Sequence, residues 1–312
     1  MRAISIDEYR TDARLGEHEK PDAGAGQILV KVQAAGLNPL DRAIAAGMMS
    51  EVLQVTFPLI LGVDVAGVVE ATGDGAVAYS VGDRVFGQLL NPGSGGAFAE
   101  YVAVASHATI ANVPKAVSSE VAASLPTPGV TALQLAHSLE PLAAKTVAVI
   151  GAGGVVGGFL TQLLVAAGAR VLAVALPPQT DRVRGYGAQD VIEASPEAIA
   201  QIREAAPDGV DVLVDLVSDA QQFSSFAGTV RSGGTAVSSI YVADVDELAT
   251  RNVRGVNFVV QMSTADLANV AGLIASGQLL PPPIRTIRLE EAPDLLNVGG
   301  NSFDGKTVIR PE

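Results

Sequence analysis

VAVIGAGGVVGG, residues 147–158, runs from a short apolar stretch into a cluster of glycines and out into a second apolar stretch. A β-branched run, a glycine loop and a helix in that order is how a parallel strand turns to aim a helix N-terminus at a bound pyrophosphate. Gly151 permits the tight turn, Gly154 lets the backbone approach the ligand, and Gly157 lets the helix lie close on the sheet. Gly153, Val155 and Val156 complete the expected binding loop, the last two supplying amides of the helix N-terminus. A glycine-rich loop alone is a weak signal. Here a second apolar strand at residues 171–175 follows the helix and supplies the context that nucleotide binding requires.

Outward from this loop, apolar runs at 147–150, 171–175, 191–192, 210–215, 235–240 and 256–260 alternate with helical stretches near 155–167, 181–186, 196–205, 220–230 and 265–276. Strands this apolar must be covered on both faces, which predicts a doubly wound parallel sheet. The preceding third differs: residues 27–35, 59–72 and 81–87 read as short strands separated by turns, a compact all-β lobe. A helical stretch from Ser118 to Glu140 follows, interrupted at Pro126 and Pro128. Beyond Gly277, three prolines at 281–283 make a stiff connector, and a last strand at 307–309 is expected to rejoin the first lobe. The fold class is therefore α/β, with a nucleotide-binding domain at 118–280 inserted into a domain made from 1–117 and 281–312.

Composition narrows the chemistry. With 48% hydrophobic and 17% charged residues over 312 positions, the chain has ample surface to bury. A net charge of -13 repels polyanions, so nucleic acid is not an expected partner. There is no cysteine, which removes thiolate nucleophiles, iron–sulfur clusters and sulfur-ligated zinc. The most hydrophobic segment is broken by glycines, and its helical piece is shorter than the ~20 residues a bilayer demands, so no membrane span is expected. The first ten residues carry Arg2, Asp7, Glu8 and Arg10, unlike a secretion signal, which predicts a cytoplasmic protein.

The second strand of the nucleotide unit ends without a carboxylate. Ala175 to Thr180 reads ALPPQT where an NAD-selective site holds an Asp or Glu on the adenosine ribose. Arg182 and Arg184 follow; either they read a 2′-phosphate or they are solvated helix charges. The pattern favours NADP(H).

Seven ordered landmarks now accumulate: GLNPLD at 36–41, FPLILGVDVAGVV at 57–69, VGDRVFG at 81–87, GAFAEYV at 96–102, AASLPTPGVTAL at 122–133, the glycine loop, and DGKTVI at 304–309. Together they resemble the medium-chain dehydrogenase/reductase superfamily, and within it the zinc-independent quinone oxidoreductase branch. The resemblance implies a GroES-like β domain with an inserted Rossmann domain, catalysis in the cleft between them, and a homodimer paired through residues 256–260. It places Asn38 beside the nicotinamide and acceptor, has Thr127 and Thr131 seat the cofactor, and lays Val217, Ser239 and Tyr241 over the nicotinamide half. Turn-capping for Asn38 and helix-bracing for Thr131 are the alternatives.

Zinc-dependent relatives carry a Cys and a His where this chain has Asn38 and Val63, so no metal is expected. His18, His107 and His137 fall in no motif and read as structural or surface residues. Relatives often place a Tyr just after the Gly that closes the first helix, but Met48 and Met49 follow Gly47 here. Tyr241 is a substitute proton donor or an ordinary loop residue, and water is the other source. Asp41 is a catalytic candidate, or it orients Asn38 or braces Arg42. The expected substrate is a small, hydrophobic, carbonyl-conjugated molecule, with Met48, Met49, Leu89 and Leu90 as candidate apolar lining. An NADPH-dependent quinone or enone reductase is the leading reading; an enoyl-thioester or small-metabolite reductase and a catalytically weak NADPH-binding sensor are the others.

Overall fold

The computed structural model describes residues 1–90, 95–105, 108–297 and 303–311. Strands β1 (Arg2–Ile6), β2 (Arg14–Glu17) and β3 (Gln27–Gly36) lead into helix α1 (Pro39–Ala45). Strands β4 (Leu59–Ile60), β5 (Asp64–Thr72), β6 (Arg84–Gln88), β7 (Tyr101–Ala105) and β8 (Ile110–Asn112) follow. After α2 (Ser119–Ala123) and α3 (Pro126–Ser138), the chain alternates β9 (Thr146–Ile150), α4 (Val155–Ala166), β10 (Arg170–Ala175), α5 (Thr180–Gly185), β11 (Asp190–Glu193), α6 (Ala198–Ala205) and β12 (Val210–Asp215). The alternation continues through α7 (Ala220–Ala227), β13 (Val230–Ser238), α8 (Val245–Thr250), β14 (Arg254–Asn257) and α9 (Thr264–Ala275). It closes with β15 (Ile284–Arg288), α10 (Ala292–Asn297) and β16 (Lys306–Arg310).

The chain divides into two units, Met1–Val130 with Met262–Glu312, and Thr131–Gln261. The second holds a parallel sheet in the order β11-β10-β9-β12-β13-β14. Its central strand β9 pairs in register with β10 and β12, so Ile150 lies level with Val174 on one side and Asp215 on the other. Val147, Ala148 and Val149 are fully buried, as a strand covered on both faces demands. Phe223, Ile202 and Leu248 pack with the sheet side chains into one apolar cluster, each such burial being worth about 1.5–3 kcal/mol.

The first unit is built on a sheet in the order β15-β16-β3-β5-β6-β8, with β7 also on β3; β15 pairs with β16 in parallel and the other pairs are antiparallel. Strand β16 joins β3 through Val308 with Gly36 and Ile309 with Ala35, so the C-terminal strand completes the N-terminal sheet. Its core gathers Ile28, Val65, Phe98, Leu289 and Ile309. A smaller sheet, β2-β1-β4, stands beside it in the chain order.

Several local expectations are corrected. The first lobe is not all-β: α1 and α10 belong to it, as does α2, which packs on β3 and β5. With α9 also against β8, the described insert is narrower than 118–280. Pro126 opens α3 instead of interrupting it, and Pro128 falls in the first turn, where no intrahelical N–H bond is lost. Val230 begins β13 and does not end α7. Helix α8 was missed because it is only six residues long; Asp244 starts it by accepting a hydrogen bond from Glu247 N at 3.0 Å. No helix among the described residues is long and apolar enough to cross a membrane.

Candidate active site

In the parallel unit, three glycines of the loop have separate steric reasons. Gly151 takes φ +83, and a Cβ there would come within 2.8 Å of Val217 Cγ1. At Gly157 a Cβ would lie 2.2 Å from the carbonyl oxygen of Gly151 and 2.7 Å from Ala152 Cα, backbone atoms that cannot move aside cheaply. Gly154 is the N-cap of α4, carries no side-chain cap, and a Cβ on it would meet only Gly151 O, at 3.3 Å. That side of the loop is an open cradle. The first-turn amides of α4, at Val155 and Val156, have no capping side chain and lie at the positive end of a twelve-residue helix. This cradle fits a pyrophosphate.

Gly153 differs from the others. Its carbonyl accepts from Arg182 Nη2 at 2.7 Å, and its α-carbon is covered by the Gln179 side chain. Arg182 is thus tethered to the loop, while Arg184 pairs with Asp181 on the surface. At the far end of β12, Asp215 Oδ1 accepts from Val217 N and Ser218 N, at 3.0 and 2.9 Å, and so shapes the turn that carries exposed Val217. Ser239 N donates to Asp215 O at 3.1 Å. Ser238 Oγ accepts from Ile240 N and Val242 N, clasping a loop in which Tyr241 takes φ +66 and is 60% exposed. A left-handed conformation costs a Tyr about 1–2 kcal/mol, which this clasp must offset. Thr131 is half-buried in α3.

In the first unit, the first, second, fifth and last landmarks converge on one buried polar cluster. Asn38 caps α1, is 4% exposed, and its carboxamide is saturated: Nδ2 donates to Gly36 O at 3.1 Å and to Asp64 Oδ2 at 2.8 Å, and Oδ1 accepts from Lys306 Nζ at 2.5 Å. Lys306 Nζ also lies 3.7 Å from Asp64 Oδ2. Asp64 Oδ1 accepts from Thr127 Oγ1 at 2.7 Å, and Thr127 Oγ1 accepts from Gln88 Nε2 at 2.7 Å. Asp41 Oδ2 accepts from Asn38 N at 2.7 Å and Asp41 Oδ1 from Val63 N at 2.9 Å, so one carboxylate ties the α1 N-terminus to the approach of β5.

Burial governs the titration of these groups. It pushes the Asp41 carboxyl up to about 7 against the lowering effect of its two backbone bonds. Asp64 is raised by burial, with Lys306, Thr127 and Asn38 opposing, and Lys306 is lowered by burial, with both carboxylates opposing. Asp64 and Lys306 compensate one another, which leaves Asp41 as the carboxyl without an ammonium of its own.

Residues 24–115 match the family described as alcohol dehydrogenase GroES-like domain, and residues 155–269 the family described as zinc-binding dehydrogenase. A quinone oxidoreductase of Lama guanicoe is 32% identical over 76% of this chain and 72% of its own. The chain belongs to the medium-chain dehydrogenase/reductase superfamily, in its quinone-oxidoreductase-like branch. An NAD-dependent alcohol dehydrogenase of Sulfurisphaera tokodaii is 28% identical over the whole of both chains. The solved quinone oxidoreductase from Coxiella burnetii superposes with a TM-score of 0.85 at 26% identity, covering 100% of this chain and 99% of that one.

The superfamily's nucleotide-binding fold suggests a pyridine nucleotide cofactor, and the cradle at Gly154 fits its pyrophosphate. Gly157→Ala is accordingly expected to weaken pyridine-nucleotide binding by more than about tenfold, or roughly 1.4 kcal/mol, in a fluorescence titration, because the added Cβ displaces the loop backbone. Superfamily membership also raises the question of zinc. The groups at the two relevant places are the Asn38 carboxamide and the Val63 isopropyl group, with a lysine ammonium on the carboxamide oxygen. That set does not fit a zinc ion. Among the described residues no three His, Cys, Asp or Glu side chains group to hold a metal.

Of the remaining expectations, His18 bonds Ser5 Oγ at 3.1 Å and His137 is exposed, while His107 lies outside the described residues. Met48 is 77% exposed, but Leu89 is buried in the core, with Met49 and Leu90 packed against it. Residues 91–94 of the loop after Leu90 also lie outside the described residues. Sequence reasoning missed Lys306, Gln88 and Asp64 as site residues, though Asp64 lies beside Val63 in the second landmark. The one available signal for Lys306 was a cation opening the otherwise apolar strand KTVI.

Proposed function

We propose that this protein is an NADPH-dependent reductase of a quinone or an activated alkene, adding hydride conjugate to a carbonyl without zinc. The observation that carries the reading is the Lys306–Asn38–Asp64–Thr127 cluster, in which Asn38 stands where metal-dependent relatives carry a zinc-ligating Cys. The quinone oxidoreductase relatives support the acceptor class, and the carboxylate-free end of β10 supports NADPH.

The nicotinamide supplies the hydride, and the chain supplies position and charge. The α4 N-terminus and the Gly154 cradle hold the pyrophosphate, with Arg182 bracing the loop beside the adenosine end. Thr127 and Thr131 seat the cofactor, and Val217, Ser239 and Tyr241 cover its nicotinamide half. Both N–H groups of Asn38 are engaged, so Asn38 acts by holding the shape and charge of the acceptor side, with Asp41 orienting it through its backbone N–H. The proton that completes alkene reduction comes from Tyr241 or from water. A small hydrophobic acceptor suits the exposed apolar side chain of Met48. Among the described residues the outer strand β14 pairs with β13 alone, and its other edge is the surface through which a cytoplasmic homodimer would form.

Purified protein is expected to oxidise NADPH faster than NADH in the presence of a panel of quinones and enones, followed at 340 nm. Absence of turnover on every member, with NADPH still bound, would move the protein to the sensor reading.

A further inference from the structure

We propose that Asn257 is the positioning residue that holds the Tyr241 loop over the nicotinamide half of the cofactor, an assignment that rests on the reading of this chain as an NADPH-dependent reductase. Strand β13 ends at Ser238 and strand β14 at Asn257, and these two residues are partners in the parallel register. They form the last rung of the sheet, at the point where the 239–243 loop departs. Phe258 N donates to Ser238 O at 2.8 Å just beyond it, so the backbone that carries Asn257 is fixed by the sheet.

The half-buried side chain of Asn257 reaches the far end of that loop. Its Oδ1 accepts from Ala243 N at 3.0 Å, and its Nδ2 donates to Ala243 O at 3.0 Å. A carboxamide that exchanges both bonds with the backbone of one residue does what a facing residue does in an antiparallel pair. The near end of the loop is held by other groups, Ser239 N on Asp215 O and Ser238 Oγ under Ile240 N and Val242 N. Tyr241 lies between the two anchors, left-handed at φ +66. A non-glycine residue keeps such a conformation where its surroundings over-determine it. Releasing Ala243 frees one end of the loop, and Tyr241 can then relax to a negative φ and swing away from the place it holds.

The test compares Asn257→Ala and Asn257→Asp with the unmodified full-length protein. Alanine removes both bonds; aspartate keeps the size and the acceptor for Ala243 N but sets a carboxylate oxygen against Ala243 O. Both variants are expected to lose about tenfold or more in kcat for NADPH oxidation with a quinone or enone acceptor, since a small misplacement at the reacting carbon is costly in rate. The NADPH Kd should stay within about threefold, because the pyrophosphate is held elsewhere, at the α4 N-terminus. Without acceptor, amide hydrogen exchange at 240–243 should quicken by about tenfold or more while that of 151–157 is unchanged, and the emission of bound NADPH should move towards that of the free cofactor. A kcat within about twofold of the unmodified protein's in both variants overturns the proposal, as does a loss in NADPH affinity as large as the loss in kcat. If the unmodified protein binds NADPH but turns over no acceptor, the reductase reading falls. Exchange and emission then decide the part of Asn257, and unchanged values in both variants overturn it. Failure to bind NADPH overturns both.

Discussion

Lys306→Met is expected to lower the thermal midpoint of the protein by about 10 °C, as read by differential scanning fluorimetry. Lys306 and Asp64 are 3% and 0% exposed, so neither charge is relieved by water. Removing the ammonium leaves the Asp64 carboxylate buried with only neutral donors, Asn38 and Thr127, and takes the donor from Asn38 Oδ1. Breaking a buried pair from one side costs about 3–5 kcal/mol. For a cooperative unit of 150–250 residues each kcal/mol is worth about 2–4 °C. Asp64 can limit the loss by taking up a proton, since burial already raises its carboxyl. The deficit should therefore be larger at pH 8 than at pH 6. Adding Asp64→Asn to Lys306→Met removes the orphaned charge and is expected to recover part of the midpoint. A shift below about 3 °C in the single variant would show that the pair is not a buried charge pair in solution.

How much of this was legible beforehand differs between the two units. The parallel sheet was readable because its central strands β9, β10 and β12 are largely buried on both faces, so Val147–Ile150, Val171–Ala175 and Val212–Val214 appear as apolar runs. The glycine loop was readable for a similar reason, since Gly151 and Gly157 answer to steric demands within a few residues of themselves. The seat of Gln179 on Gly153 was not, because a backbone turn folds that side chain back and no periodicity encodes the contact. The polar cluster was harder still. Asn38 and Lys306 are 268 positions apart and meet only because β16 pairs with β3. Family resemblance pointed to Asn38, but the saturation of its carboxamide by Gly36, Asp64 and Lys306 changes what that residue can do. A side chain with both N–H groups already engaged positions its surroundings and must break a bond before it can donate elsewhere.

Asp41 presents the second large effect, and its sign with pH is set by burial. Its folded carboxyl titrates near 7, above the ordinary value near 3.8, so between these limits the folded protein holds a proton that the unfolded chain has released. Stability from this group is fully present below about pH 4 and is lost as pH rises through 7. Asp64, also raised, acts in the same sense, and Lys306, lowered, acts in the opposite sense on the alkaline side, so the comparison must be made between variants. Asp41→Ala removes the acceptor of both Asn38 N and Val63 N. Each orphaned buried N–H costs about 1–3 kcal/mol, and the expected fall in midpoint is again about 10 °C. Asp41→Asn mimics the protonated carboxyl: Oδ1 keeps one amide, while its NH2 group faces the other donor. It should therefore be destabilised by roughly half as much as Asp41→Ala, with the gap to the unmodified protein narrowing from pH 5 to pH 8. Midpoints measured at intervals over that range decide the matter. Parallel curves for the unmodified protein and Asp41→Asn would mean that Asp41 is ionised throughout. The α1 N-terminus would then be tied to Val63 by a fixed charge, not by a carboxyl that holds its proton near neutrality.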